Sequence, residues 1–142
     1  MTNPNPESTL TEKLSELRPI EELHKELILY VQTSGIETPE RLLEPFILAE
    51  SATTLDVNAI IFFVGEGVTV MKREGTEHVK IGGQGLNAVI KRALKAGVRL
   101  LVCEESCDAR GLGWRDIKKE ALVLGAVTLN DLLIVADAVL SF

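Results

Sequence analysis

The 142-residue chain carries 15 Lys and Arg against 21 Asp and Glu, a formal charge of −6, with 46% hydrophobic and 25% charged residues. That length is one domain's worth and buries enough surface to stand without disulfide or metal, and the acidic balance argues against a nucleic-acid surface that tracks phosphates. No apolar run approaches the ~20 residues that span a bilayer, and the polar start Met1-Thr-Asn-Pro-Asn-Pro-Glu7 is unlike a signal peptide, so the expected location is the cytoplasm, where the two cysteines stay reduced.

Residues 1–25 read as an N-terminal arm and residues 26–142 as the domain proper. In the arm, Leu10, Leu14 and Leu17 recur at near-helical spacing up to Arg18, and Pro19 interrupts the pattern. This predicts a short amphipathic helix whose stripe must cover the domain or a neighbouring subunit. Residues 27–31, Leu-Ile-Leu-Tyr-Val, are apolar throughout, as in a strand buried on both faces. Thr38 with Pro39 and Glu40 predicts a capped helix start, continued by Leu42, Phe46, Ala49 and Thr53. Pro45 inside that helix predicts a kink. A second strand spans residues 57–64 and ends at Gly65-Glu-Gly67. Val68 to Met71 is a short apolar turn, followed by a charged loop and by Gly82-Gly-Gln-Gly85. That glycine run has no strand leading directly into it, so a flexible loop is favoured over an anion cradle.

The clearest helix is residues 86–96. Leu86, Val89, Ile90, Ala93 and Leu94 share a face, Lys91, Arg92 and Lys95 lie opposite, and Gly97 suits the C-terminal cap. Residues 98–102 form the third strand. Residues 116–124 read as a helix closed by Gly125, residues 126–127 as a short strand, and Thr128-Leu-Asn-Asp131 as a capping box opening a last helix to Ala136. Residues 138–142 are the final strand. Alternation of strands and helices predicts a flavodoxin-like α/β fold, a three-layer sandwich around a mostly parallel five-stranded sheet.

Cys103 closes the third strand, and Cys107 follows four residues on. In an open α/β sheet, ligands and chemistry sit just outside the carboxyl ends of the strands, so Cys103 falls where such a fold keeps its site. Thr33, Ser34 and Gly35 after strand one, and Gly65 after strand two, are expected to line the same cleft, with strands one and three as neighbours. Glu104, Glu105 and Asp108 crowd the loop with negative charge and oppose a thiolate, while Arg110 and loop N–H groups favour it. A small buried hydrophobe is the competing reading of Cys103. Cys107, if the loop turns helically, is near enough to pair with Cys103 after modest rearrangement, as a resolving thiol or as an incidental cysteine. His24 and His78 sit in charged segments and match no zinc spacing, so no metal is expected. Trp114 reads as core or subunit packing.

Several stretches taken together match a known pattern: Thr33-Ser-Gly-Ile-Glu-Thr-Pro-Glu-Arg after strand one, Cys103 at the end of strand three, Arg110-Gly-Leu beyond it, and Ala136-Asp-Ala-Val-Leu-Ser-Phe142 at the end. Over about residues 26–142 the chain resembles the DsrE/DsrF-like (TusD-like) sulfur-relay family. The resemblance implies a flavodoxin-like subunit that forms a trimer or hexamer, needs no cofactor, and uses a cysteine at the position of Cys103 to take up persulfide sulfur and pass it to a sulfur-carrier protein. The arm at residues 1–25 and the second cysteine, Cys107, depart from that pattern. Two other functions stay open at this point: a non-catalytic oligomer that binds a small ligand or partner, and a thiol redox switch built from Cys103 and Cys107.

Overall fold

The computed structural model describes residues 26–142, so the expected arm, its helix and His24 lie outside the described residues. Strand β1 (Leu27–Gln32) leads to a 3-10 turn (Pro39–Arg41) and helix α1 (Leu43–Thr54). One continuous helix kinked at Pro45 is not what forms: the chain breaks at Leu42 instead. Thr38 makes no side-chain cap, and its hydroxyl bonds the Gly35 carbonyl at 3.4 Å. Pro45 then falls third in α1, among the first four positions whose N–H groups have no helical partner, so it removes no bond and needs no kink.

Strand β2 (Asn58–Phe63) is followed by a 3-10 turn (Gly65–Met71) and by a hairpin of β3 (Lys80–Ile81) and β4 (Gln84–Gly85). Gly82 and Gly83 take φ of +55° and +82°, the double left-handed geometry of a two-residue hairpin turn. The glycine run is therefore a tight turn where a flexible loop was expected. Helix α2 (Leu86–Ala96) buries Leu86, Val89, Ile90 and Ala93 and ends on Gly97 at φ +102°, as its pattern requires. Strand β5 (Arg99–Cys103) includes Cys103 itself, and the five-residue helix α3 (Glu104–Asp108) follows at once.

The last third departs most from expectation. A 3-10 turn (Trp114–Asp116) precedes strand β6 (Leu122–Leu124), helix α4 (Ala126–Val135) and strand β7 (Ala138–Ser141). Residues 116–124 are thus not a helix, and residues 126–127 are not a strand. The segment from Asp116 to Lys118 bonds across the chain instead: the Arg73 N–H donates to the Asp116 carbonyl and the Lys118 N–H to the Met71 carbonyl, both at 2.7 Å. Gly125 opens α4 rather than closing a helix, and Thr128 lies buried within α4 rather than at its cap.

All five long strands pair in parallel in the order β6-β5-β2-β1-β7. This bears out the parallel three-layer sandwich, but one inference drawn from it fails. Strands one and three, β1 and β5, are not neighbours, because β2 lies between them. Strand side chains alternate between two cores. Phe63, Ile61, Leu100 and Val102 face α1 and α2. Phe62, Ile60, Leu101 and Cys103 face α4. Trp114 packs against the α1/α2 core, with the Arg115 guanidinium 5.1 Å from its ring.

The α4 side is thinly covered. Only Thr128 and Leu132 of α4 are buried, and Ile134 is 81% exposed. Val127, Leu133 and Val135, with Val139 and Leu140 of β7, extend the apolar surface. Among the described residues, no helix is long and apolar enough to cross a membrane.

Candidate functional site

Parallel pairing brings the carboxyl ends of all five long strands to one edge of the sheet. Strand order reverses between β1 and β7, the switch point at which open α/β sheets leave a crevice. Here the chain closes that point itself. Thr33 donates its N–H at 2.7 Å and its hydroxyl at 2.6 Å to the Phe142 carbonyl, and Ser34 N–H joins at 3.2 Å. Thr33 and Ser34 are thereby tied to the last strand, β7, and the line of β1 that they extend lies two strand spacings, about 10 Å, from the line of β5. Gly35 instead packs on the turn after β2. Gly65 is the one member of the expected cleft bonded to the cysteine segment, its N–H donating to Ser106 Oγ at 2.9 Å.

Cys103 ends β5 and precedes the first residue of α3. Its side chain turns to the α4 face and is 5% exposed. The thiol donates to Glu105 Oε1 at 3.6 Å, and the same oxygen accepts the Ala126 N–H at 2.9 Å. One carboxylate therefore touches the thiol and caps the start of α4, while Glu105 as a whole is exposed. Spacing alone marked Glu105 as one of three charges opposing a thiolate. The fold adds a contact: the carboxylate accepts a hydrogen bond from the Cys103 thiol. No local signal foretold this contact, because its anchor at Ala126 lies 21 residues away.

Arg110 does not reach for the sulfur. Its Nε and Nη2 bond Glu66 Oε1 at 3.1 and 2.7 Å, and Nη1 bonds the Ser106 carbonyl at 3.1 Å. It staples α3 to the turn after β2. Gln32 was also missed by sequence reasoning. It is fully buried, and its Nε2 bonds the Ser34 carbonyl at 2.8 Å.

Cys107 occupies the other core, with α1 and α2. Burial, reinforced by the neighbouring Cys103 and Asp108, pushes its thiol from the ordinary 9.0 up to about 12. A raised folded-state pKa stabilises the fold below the unfolded value, and that stability is lost as pH climbs from about 9 toward 12. Denaturant midpoints should therefore fall across that alkaline range in the native chain and fall less in Cys107→Val. Equal alkaline slopes in the two proteins would contradict this placement. Among the described residues, no group of three or more His, Cys, Asp or Glu is placed to hold a metal ion, and His78 is exposed on the charged loop.

A family model for the DsrE/DsrF-like family matches residues 26–142. An uncharacterised protein of Methanocaldococcus jannaschii, MJ0760, is 24% identical over 102 residues, 71% of this chain. The chain spans only 37% of the length of that relative. Among solved structures, the ychN protein of E. coli superposes with a TM-score of 0.67 at 19% identity, covering 83% of this chain and 99% of that one. A protein of unknown function from Methanobacterium thermoautotrophicum, MTH1491, gives 0.62 at 15% identity, covering 83% and 99%. These likenesses carry the fold.

Proposed function

The chain belongs to the DsrE/DsrF-like family, and on that premise we propose that it carries sulfane sulfur on Cys103 and passes it to a sulfur-carrier protein. The observation that carries this reading is the Cys103 thiol at the carboxyl end of β5 with the Glu105 carboxylate 3.6 Å away. In the forward step the Cys103 thiol gives its proton to Glu105, and the sulfur attacks the outer sulfur of a donor persulfide, R–S–SH. The donor S–S bond breaks, its electron pair leaves with RS⁻, and that thiolate takes the proton to become RSH. The product is Cys103–S–SH, and no outside oxidant enters. The acceptor reverses these roles. Cys107, buried and with its thiol pushed up to about 12, takes no part in the reaction. A reducing compartment such as the cytoplasm suits a free working thiol.

The subunit works as a homo-oligomer of three or six copies under this reading. Contiguous exposed apolar surface marks association, and Ile134, Val135, Val139 and Leu140 supply it on α4 and β7. Light scattering at micromolar concentration is expected to show three or six subunits, and a monomer would overturn the assembly. Deleting residues 1–24 should leave a folded subunit that still loads sulfur while the oligomer dissociates at lower dilution. An insoluble product would place the arm in the core, and a folded one that no longer loads would place it at the site.

One observation favours a second reading, an oligomer that binds a small ligand or partner without chemistry: Cys103 is only 5% exposed. Intact-mass spectrometry after exposure to polysulfide or a persulfidated carrier separates the two. Sulfur carriage predicts gain of one sulfur atom at Cys103, and the binding reading predicts none.

A further inference from the structure

Away from Cys103, on the α2 side of the sheet, lies a cavity of about 370 Å³. Its walls are α2, the turn at Arg73 and the run 118–120 that leads into β6. Four cations line it, Arg73, Lys91, Lys118 and Lys119, against the single carboxylate of Glu120. The chain as a whole is acidic, at −6, so this concentration of positive charge runs against the composition.

Lys118 is the buried member of the cluster. It is 8% exposed. Its ammonium donates to the Lys72 carbonyl and, at 2.8 Å, to Thr76 Oγ1. An ammonium has three protons to give, and both of these acceptors are neutral. Burial lowers its pKa from the ordinary lysine value, with Glu120 and Glu77 pulling the other way. Arg73 spends Nε and Nη2 on the Ile117 carbonyl at 3.3 and 3.1 Å, again a neutral oxygen. Among the described residues, none of the four cations is within salt-bridge distance of a carboxylate. The Lys118 clamp on residues 72–76 accounts for that lysine's position. It does not account for three further cations gathered around the same concavity, where like charges repel.

We propose that this cavity binds the phosphate group of a small phosphorylated metabolite, with Lys118 as the buried contact and Arg73, Lys91 and Lys119 around it. An anion there supplies counter-charge that, among the described lining residues, Glu120 alone provides. The volume sits at the lower end of small-molecule sites, roughly 300–1,000 Å³, which leaves room for a phosphate and a body about the size of a pentose. Ile90 offers that body an apolar wall and Asn87 a polar one. Because Cys103 faces the opposite core, the site stands independently of sulfur carriage.

The test is calorimetric titration of the full chain with ribose 5-phosphate, inorganic phosphate and ribose, each at millimolar concentrations. Ribose 5-phosphate should bind saturably and raise the melting temperature, inorganic phosphate should bind more weakly, and ribose should not bind. In the double variant Lys91→Gln/Lys119→Gln, affinity should fall about tenfold or more, equivalent to about 1.4 kcal/mol, with the unliganded melting temperature unchanged because both side chains are exposed. Lys118→Met should abolish binding if it folds. No saturable binding of either phosphate, ribose binding as tightly as ribose 5-phosphate, or native affinity in the double variant would each overturn the proposal.

Discussion

Cys103→Ser is expected to abolish sulfur loading altogether, whereas Cys107→Ala is expected to load like the native chain. The asymmetry follows from where the fold puts the two thiols. Cys103 ends a strand at the edge where five carboxyl ends meet, and its proton faces a carboxylate exposed to solvent. Cys107 lies in the α1/α2 core with its thiol pushed up to about 12, so at neutral pH almost none of it is the thiolate that attacks sulfur. Serine at residue 103 keeps a hydroxyl that can still bond Glu105, so the variant tests the sulfur atom rather than the fold. The measurement is intact mass after treatment with a persulfide donor, followed by peptide mapping. Undiminished loading of Cys103→Ser, or loading mapped to Cys107, would defeat the assignment. Glu105→Gln refines the same experiment. It keeps an oxygen that can accept the thiol proton's hydrogen bond but removes the base, so loading should slow at neutral pH and recover as the medium becomes alkaline. Rates unchanged across pH would leave Glu105 as a helix cap only.

What could be read from sequence was whatever a single element encodes about itself. Strands β1, β2 and β5 are buried on both faces, so each is an unbroken apolar run that local composition reveals. Helix α2 shows its period because one face meets the sheet and the other meets water, and Gly97 marks its end. Strand β6 has three residues, too few for alternation to show, and the segment before it imitates a helix because Ile117, Ala121 and Leu124 recur at suitable spacing. What fixes that segment is long-range: its backbone bonds to Met71 and Arg73. Strand order is a property of the crossovers and not of any strand, which is why β1 and β5 were wrongly set side by side. Cys103 was legible because its place at a strand end is local. The contacts of Glu105 and Ser106 were not, since their partners, Ala126 and Gly65, lie 21 and 41 residues away.

The interlock between the turns after β1 and β2 carries the largest stability effect. Gly67 packs so closely on β1 that a Cβ there would lie 2.0 Å from the Gln32 carbonyl oxygen and 2.9 Å from its carbon. Neither atom can swing aside, because both belong to a fully buried backbone whose oxygen also accepts the Val64 N–H at 3.0 Å. Gly35 makes the reciprocal contact: its Cβ would meet the Glu66 carbonyl oxygen at 2.3 Å and Thr69 Oγ1 at 2.4 Å. That hydroxyl is already engaged, accepting the Ile36 N–H at 3.1 Å and donating to the Glu66 carbonyl at 2.8 Å. Gly67→Ala must therefore separate two backbones, and a cost of roughly 3 kcal/mol or more is expected, at the upper end of overpacking effects. In a domain of this size that corresponds to a fall in Tm of about 10 °C. Gly85→Ala is the matched control. A Cβ there meets nothing within 4 Å and the backbone sits at φ −65°, so the change should stay within about 1 kcal/mol, the scale of a helix-cap substitution. The consequence reaches the sulfur site, because Gly65, two residues before Gly67, holds Ser106 through its N–H. Separation of the turns should loosen α3 and slow loading at Cys103 even well below Tm. Thermal melts that place Gly67→Ala level with Gly85→Ala would show that the two turns do not interlock as described.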